Sequence, residues 1–379
     1  MKKKLAFTSL IAALISLPSQ AEITFNGFAS IVGGTTTSSN DNLYGYDDNF
    51  DFKEGSLFAL QASSDLGEGL GVTIQLAAKG TDDWEPEFKW AFLSYDATDE
   101  LRILAGRQRA PFYMYSDFLD VSYAYPWITP PTGVYDLIFD TYDGLSAIYS
   151  TSFGDVEASF HGIYGRITDK FDAFGETITP NVGDLTGLAT TFTYDWLTLR
   201  ASYFIADTTM PFSDLEGLAH GWSQAGFEDV ANNTRLSEDS SSFLELGFQI
   251  NYDALIIVGE YTNLEIENSP LAEEDSYYVM AGYQFDSILV HVTYGVDENV
   301  NDIYTSDIPY GLHPDIDFLK GATEGFLYSQ ESEEEYVTVG VRYDFHDSAA
   351  FKLEYTDFTN KNNNSSDAGL IRAAIVTVF

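Results

Sequence analysis

The segment FDSILVHVTYGV, residues 285–296, contains the pattern that decides the fold of the whole chain. It opens with an aromatic residue followed by Asp286, a residue type that suits a tight turn, and continues as an alternating strand. His291 and Thr293 lie on one face of that strand. The opposite face is entirely apolar or aromatic and consists of Ile288, Val290, Val292, Tyr294 and Val296. This pattern predicts a β-strand with apolar surroundings on one side and water on the other.

The same unit of strand, short turn and strand recurs along the chain. Short turns occur at 64–70, 95–101, 152–156, 194–199, 252–257, 285–290 and 345–351. Longer polar connections occur at 33–53, 79–86, 109–141, 166–183, 206–241, 262–275, 296–334 and 359–368. Alternation of short and long connections is typical of barrels in the bacterial outer membrane, whose short turns face the periplasm. Seven short turns and eight long loops predict 16 strands, with both chain ends on the periplasmic side.

Charged residues indicate which face of each strand lines the inside. In the strand 336–345, Arg342 and Asp344 lie opposite a row of valines and aromatic residues, and Arg200 lies opposite Leu199 and Ala201 in the strand 197–205. A lysine or arginine facing lipid at mid-bilayer costs roughly 2–4 kcal/mol, so charge marks the inner face. The prediction is an all-β fold, a 16-stranded antiparallel transmembrane β-barrel. The strands near 56–64, 88–95 and 141–151 alternate too poorly for their faces to be assigned.

The first 21 residues have the pattern of a signal peptide. Lys2, Lys3 and Lys4 precede an apolar stretch from Leu5 to Leu17, and small residues at Ser19 and Ala21 suit cleavage by signal peptidase. The apolar stretch is shorter than the roughly 20 residues that a membrane-spanning helix needs. The predicted division is therefore a signal peptide at 1–21 and one barrel domain at 22–379.

Composition narrows the functions that the chain can have. With 59 acidic against 18 basic residues, the chain repels nucleic acid and attracts cations. The 25 tyrosines and 28 phenylalanines argue against disorder and supply material for aromatic girdles at the membrane interfaces. The chain has no cysteine, and its five histidines lack metal-ligand spacing. No nucleophile motif stands out either, so we expect neither a metal, nor a cofactor, nor an enzyme.

The chain ends in AGLIRAAIVTVF, residues 368–379. Alternation there sets Arg372 toward the inside and Phe379, the last residue, toward lipid. A final alternating strand that ends in an outward phenylalanine resembles the signal that the assembly machinery of Gram-negative outer membranes reads. The resemblance implies location in the outer membrane, insertion by that machinery, and contact with lipid and lipopolysaccharide.

The stretch LRILAGRQRAPFYMYSDFLDVSYAYPW, residues 101–127, resembles the fifth strand and third loop of general trimeric porins. In that family the third loop folds into the barrel, narrows the pore and presents carboxylates opposite arginines of the wall. The resemblance implies a homotrimer and matches Arg107 to a wall arginine, with Asp117 and Asp120 as acidic loop residues. The chain departs from enterobacterial porins at Tyr142-Asp143-Gly144, where those proteins carry an arginine soon after the loop. Small residues expected on outer faces, which suit a trimer contact, are Gly27, Ala29, Ala77 and Ala373.

These observations define a candidate pore constriction. Its acidic side is predicted to consist of Asp117, Asp120, Asp136 and Asp140, and its basic side of Arg107, Arg109, Arg200, Arg342 and Arg372. Opposed charges across a narrow pore order water and disfavour apolar solutes. The alternative is that some of these groups only brace the loop.

The leading hypothesis is a water-filled channel for passive diffusion of ions and small hydrophilic solutes, weakly selective for cations because of its acidic loops. The many aromatic residues at 112–135 leave open a channel selective for oligosaccharides, with the rings as a stacking track; otherwise they anchor the loop. A barrel enzyme and a soluble exported adhesin or lectin are further alternatives. Acidic residues at 262–275 and 296–334 either bind divalent cations that bridge to lipopolysaccharide or form a solvated rim.

Overall fold

The computed structural model describes residues 22–39 and 41–379, so the predicted signal peptide and its cleavage site lie outside the described residues. Eighteen strands are found there. In chain order they are β1 (Ile23–Thr36), β2 (Leu57–Gly67), β3 (Leu70–Lys79), β4 (Pro86–Asp96), β5 (Leu101–Arg109), β6 (Thr141–Phe153), β7 (Val156–Ile167), β8 (Phe171–Ala173), β9 (Glu176–Ile178), β10 (Asn181–Tyr194), β11 (Leu197–Met210), β12 (Leu236–Tyr252), β13 (Leu255–Ile266), β14 (Glu273–Phe285), β15 (Ile288–Val300), β16 (Ser332–His346), β17 (Ala349–Asn360) and β18 (Ala368–Val378).

Sixteen of these strands form one closed antiparallel barrel, which confirms the predicted fold and strand number. Each strand pairs with its neighbours in the chain, and β1 pairs with β18 to close the ring, with Val32 opposite Ala374. The two remaining strands, β8 and β9, form a separate hairpin in the connection between β7 and β10. Closure pairs the backbone groups of every wall strand within the sheet, as the interior of a membrane requires.

The seven short turns lie where the sequence predicted them. Three of the aromatic–aspartate turns place the aspartate in the left-handed region, with φ of 49° at Asp195, 52° at Asp253 and 55° at Asp286. Aspartate tolerates this conformation because its short side chain can hydrogen-bond locally, and tight hairpin turns need it. The aromatic residues before them, Tyr194, Tyr252 and Phe285, are all exposed on the outer surface of the barrel end.

The predicted faces are confirmed where the sequence alternates. In β15, Val290, Val292 and Tyr294 are exposed, and His291 and Thr293 are buried inside. In β4 the alternation fails because a bulge at Lys89 interrupts the pairing between Gln75–Trp90 and Leu76–Phe88. Ala77, which was expected on the outer face, is instead buried with Phe28, Leu57 and Ala59.

The long connections are shorter than the sequence predicted, because several strands extend further beyond the turns. The connection expected at 206–241 spans only 211–235, and it contains helices α1 (Ser213–Gln224) and α2 (Glu228–Asn233). The connection after β15 contains α3 (Pro314–Ser329), which packs on α1 through a hydrogen bond of 2.9 Å from Trp222 Nε1 to Thr323 Oγ1. None of the helices in the described part of the chain is long and apolar enough to cross a membrane.

The C-terminal residue joins the two ends of the barrel wall. The backbone of Phe379 exchanges two hydrogen bonds with Gly27, of 2.7 and 2.8 Å. Its ring is 60% exposed on the outer surface and lies 5.9 Å from the ring of Phe58. The outward orientation predicted for Phe379 is therefore observed.

Candidate functional site

The connection between β5 and β6, residues 110–140, packs against the barrel wall, and we call it the inner segment. Its two ends are tied together by a hydrogen bond of 3.0 Å from Ala110 N to Asp140 O. Short 3-10 turns at Ser116–Phe118 and Ser122–Ala124 fold it back on itself. It contacts wall strands as far apart as β3 and β17.

Aromatic rings attach the inner segment to one side of the barrel. The ring of Phe112 lies 4.9 Å from that of Phe204 on β11 and 5.1 Å from that of Phe243 on β12. Trp127 is buried against Tyr278 on β14 at 5.5 Å. Because these rings are occupied by one another, they favour the anchoring role over a free track for sugars.

Polar groups of the wall complete this attachment. The ammonium group of Lys352 on β17 donates to the backbone oxygens of Ser122, Tyr125 and Trp127, the second at 2.8 Å. Glu354 accepts from the backbone N–H of Ile128 at 2.7 Å. On β13, Glu260 accepts from the backbone N–H of Met114 at 2.8 Å and from the hydroxyl of Tyr278 at 2.6 Å.

The same carboxylate, Glu260, also accepts from Tyr135, and its neighbour Glu245 lies 3.3 Å from Arg200. The hydrogen bonds of Lys352, Glu354 and Glu260 satisfy backbone groups of the inner segment that would otherwise be buried without partners. They fix its path along β11–β17.

On the opposite side, Arg109 forms an ion-pair cluster. It contacts Asp120 directly and Asp140 at 3.3 Å, while Lys79 lies 3.4 Å from Asp120 and Lys89 lies 3.6 Å from Asp140. Burial alone would raise the pKa of Asp120, but the charges of Arg109, Lys79 and Lys89 outweigh it and hold that pKa well below its usual range.

Asp120 and Asp140 were predicted to lie opposite Arg109 in a pore constriction. The structure brings the three side chains into contact, because the inner segment folds back so that both carboxylates meet the guanidinium of Arg109, the last residue of β5. Their part in a constriction stays a prediction.

Arg107 contacts a carboxylate that the sequence analysis did not select. Its guanidinium pairs with Asp169, in the connection after β7, and Asp169 also accepts from the hydroxyl of Thr141 at 3.1 Å. Arg107 and Asp169 lie far apart in the chain, so no local sequence pattern predicts that they pair.

The three other arginines hold the inner segment to the wall. Arg200 donates to the backbone oxygen of Pro111. Arg342 donates to the backbone oxygens of Tyr123 and Tyr125 at 2.8 and 3.0 Å. Arg372 donates to Thr129 Oγ1 at 2.9 Å and to Glu354 at 2.9 Å. These contacts favour the bracing alternative for Arg200, Arg342 and Arg372.

Asp117 and Asp136 are more exposed than Asp120 and Asp140, the two other carboxylates of the inner segment. The structure brings neither into the Arg109 cluster. Loss of hydration inside the barrel, together with repulsion from Asp297 and Glu334, raises the pKa of Asp136 from 3.8 to about 6.

Sequence reasoning missed Lys79 and Lys89 as site residues. Lys89 is the bulge residue of a strand whose faces could not be assigned, and Lys79 is the last residue of β3, at the edge of a predicted loop. The one available signal was their charge within strands, because a buried lysine in a barrel wall must face inward.

Between the inner segment and the wall of β1–β6 lies a cavity of about 870 Å³. Its charged lining residues are Lys79, Asp82, Glu85, Glu87, Lys89, Asp120, Asp140, Asp169, Lys170, Asp172 and Arg372. Seven of these eleven are carboxylates, so the space is polar and negative. Within residues 22–39 and 41–379 no group of three or more His, Cys, Asp or Glu is arranged to hold a metal ion.

Comparison with known proteins identifies the family. A family model described as Gram-negative porin matches residues 6–363. The chain belongs to the Gram-negative porin family. The protein is therefore a porin of the outer membrane, as its barrel and its alternating strands predicted. A comparison with curated proteins finds no match.

Solved structures that resemble this porin come from several bacteria. OmpT of Vibrio cholerae in a trimer form is 14% identical, with a TM-score of 0.57 over 95% of this chain and 99% of that one. An anion-selective porin from Comamonas acidovorans is 12% identical, with a TM-score of 0.58 over 95% and 100% of the two chains. OmpF of Salmonella typhi in complex with daunomycin is 13% identical, with a TM-score of 0.58 over 94% and 97%. At these identities the likeness shows the fold alone.

Proposed function

We propose that this porin is a passive, non-enzymatic channel for ions and small hydrophilic solutes, and that it favours cations. The observation that carries the proposal is the negative cavity of about 870 Å³ beside the inner segment, inside a closed 16-stranded barrel. An ion that passes there meets seven carboxylates and four basic side chains. Membership of the porin family supports channel function, and the charge count supports the preference for cations.

The inner segment acts in this proposal as the constriction. It occupies the β11–β17 side of the barrel with buried rings and leaves the β1–β6 side open. Arg107, Arg109, Asp120 and Asp140 then set the local field along the open side, Asp117 and Asp136 add exposed negative charge, and Arg200, Arg342 and Arg372 keep the segment in place.

We propose a homotrimer as the functional assembly, exported through residues 1–21 and inserted by the outer-membrane assembly machinery, for which the outward Phe379 serves as signal. Support for the trimer comes from the porin family and from the trimer form of the structurally similar OmpT. Lipid and lipopolysaccharide surround the exposed apolar belt of the barrel in this proposal.

The test is reconstitution of the purified protein in a planar lipid bilayer with a gradient of potassium chloride. The proposal expects stepwise conductance, steps grouped in threes, and a reversal potential on the cation-selective side. A bilayer that receives the same detergent solution without the protein serves as the control. Absence of conductance contradicts the channel, and an anion-selective reversal potential contradicts the cation preference alone.

A further inference from the structure

A second cavity, of about 300 Å³, lies across the inner segment from the polar cavity beside β1–β6. Its lining is mostly apolar. It is lined by residues of β7 and β10–β14, of the β8–β9 hairpin and of the inner segment. Its aromatic lining residues are Phe112, Phe139, Phe171, Phe174, Phe204, Phe212 and Phe243. Its volume falls at the lower end of the range for small-molecule sites, roughly 300–1,000 Å³.

This apolar cavity is open to the aqueous side. Phe174 and Ile138 at its rim are 64% and 61% exposed, and the two cavities share the lining residues Leu137, Ile138, Phe139 and Phe171. Exposed apolar surface in contact with water favours the entry of an apolar group, because entry removes that surface from water.

The charges around the cavity select the kind of molecule. Among the described residues that line it, only Asp136 and Glu274 are charged, and both are carboxylates. Asp297 and Glu334 lie close enough to repel the carboxylate of Asp136, and an ammonium group placed there relieves that repulsion. An apolar acid is repelled there, while an ammonium group gains a charge-assisted hydrogen bond that a neutral molecule lacks.

We propose that this cavity is a binding site for a small organic cation with an aromatic or aliphatic body, such as an arylalkylamine. The body fills the space between Phe174, Phe204 and Phe243, and the ammonium group lies at Asp136 and Glu274. The site goes beyond passive conduction of hydrophilic solutes, because it holds a partly apolar molecule beside the aqueous path.

Photolabelling of the porin in outer-membrane vesicles tests this proposal without reference to conductance. The probe is 4-phenylbutylamine with a trifluoromethyl diazirine on its ring, and unlabelled 4-phenylbutylamine, 4-phenylbutanol and 4-phenylbutyrate compete against it. The expected result is saturable labelling of cavity residues, located by mass spectrometry, with competition strongest for the amine and weakest for the acid.

Two variants sharpen the test. Ala173 lies on the β8–β9 hairpin, which is not part of the barrel wall. Ala173→Trp is expected to fill the cavity and to abolish saturable labelling. Glu274→Gln is expected to weaken competition by the amine about tenfold and to leave that of the alcohol unchanged. Glu273→Gln, the exposed neighbour, is the matched control. Equal competition by the three compounds, or labelling that persists in Ala173→Trp, overturns the proposal.

Discussion

The two sides of the barrel interior differ in what the inner segment does there. Toward β11–β17 it is fastened by rings such as Phe112 and Trp127 and by buried donors such as Lys352. Toward β1–β6 it contacts the wall through the Arg109 cluster and through Val121, and a cavity of about 870 Å³ remains open beside it.

In the proposed channel, this difference lets one connection both narrow and border the aqueous path. Where water is excluded, a backbone group without a partner would be costly, and the hydrogen bonds of Lys352 and Glu260 remove that cost for the inner segment on the anchored side. On the other side Arg109 and Asp120 are buried, but the cavity is bordered by exposed carboxylates such as Glu87, which can act on passing ions in the proposed channel. Changes on the anchored side are therefore expected to alter stability, and changes on the open side to alter selectivity.

The largest effect is expected from Phe112→Ala on the anchored side. The substitution removes a buried ring in contact with Phe204 and Phe243, and removal of a buried phenylalanine costs about 3–5 kcal/mol. Urea unfolding in lipid vesicles measures the loss. Phe118→Ala, on a ring that is 52% exposed, is the control and should change little. Equal losses in the two variants contradict the anchoring role.

Lys352→Met should give the next largest effect. It leaves the backbone oxygens of Ser122, Tyr125 and Trp127 without their donor, at a cost of about 2–3 kcal/mol. The inner segment should then detach part of the time, which single-channel recording detects as added current noise. Lys361→Met, on an exposed lysine in the last long connection, is the matched control. A Lys352→Met channel without added current noise would argue against the anchoring role of Lys352.

A smaller effect is expected from Asp120→Asn on the open side. The change removes one negative charge beside the cavity and leaves Arg109 and Lys79 less neutralised. A unit charge about 10 Å from an ion in water contributes about 0.4 kcal/mol, unfavourable for the cation and favourable for the anion, so the cation-to-anion permeability ratio falls about fourfold. Reversal potentials measure this ratio. Asp99→Asn in a short turn is the control, and an unchanged ratio for Asp120→Asn counts against a path along β1–β6.

The smallest expected effect is a change in ion selectivity when the pH is lowered. The pKa of Asp136 is raised to about 6, so this carboxyl is ionised at pH 8 and protonated at pH 5. Loss of its negative charge should weaken the preference for cations as pH falls through about 6. Reversal potentials recorded from pH 8 to pH 5 follow this step. Asp136→Asn should lack it, and a step of the same size in that variant assigns it to another group.

The barrel was predictable because its determinants are local. Asp195, Asp253 and Asp286 mark turns by their own backbone preference, and alternation along each strand is visible in a few residues. The resemblance of residues 101–127 to a strand and loop of general porins also identified the segment that contacts the wall.

The pairing of charges was not predictable in the same way. Arg107 pairs with Asp169 and Lys352 binds Ser122, and the residues of each pair lie far apart in the chain. The bulge at Lys89 interrupts the alternation of β4, so the sequence does not indicate on which face Lys89 lies. Such contacts depend on the path of the inner segment through space, which no short pattern contains.

Accessibility of engineered cysteines tests most directly that the aqueous path follows only one side of the inner segment. The chain has no cysteine of its own, so single substitutions can be labelled specifically. Glu87→Cys lines the open cavity, and Ser202→Cys lies under Phe112 on the anchored side. A charged, water-soluble thiol reagent should react with the first and reduce its current, and should leave the second unmodified. Equal rates of modification at the two positions would contradict the account.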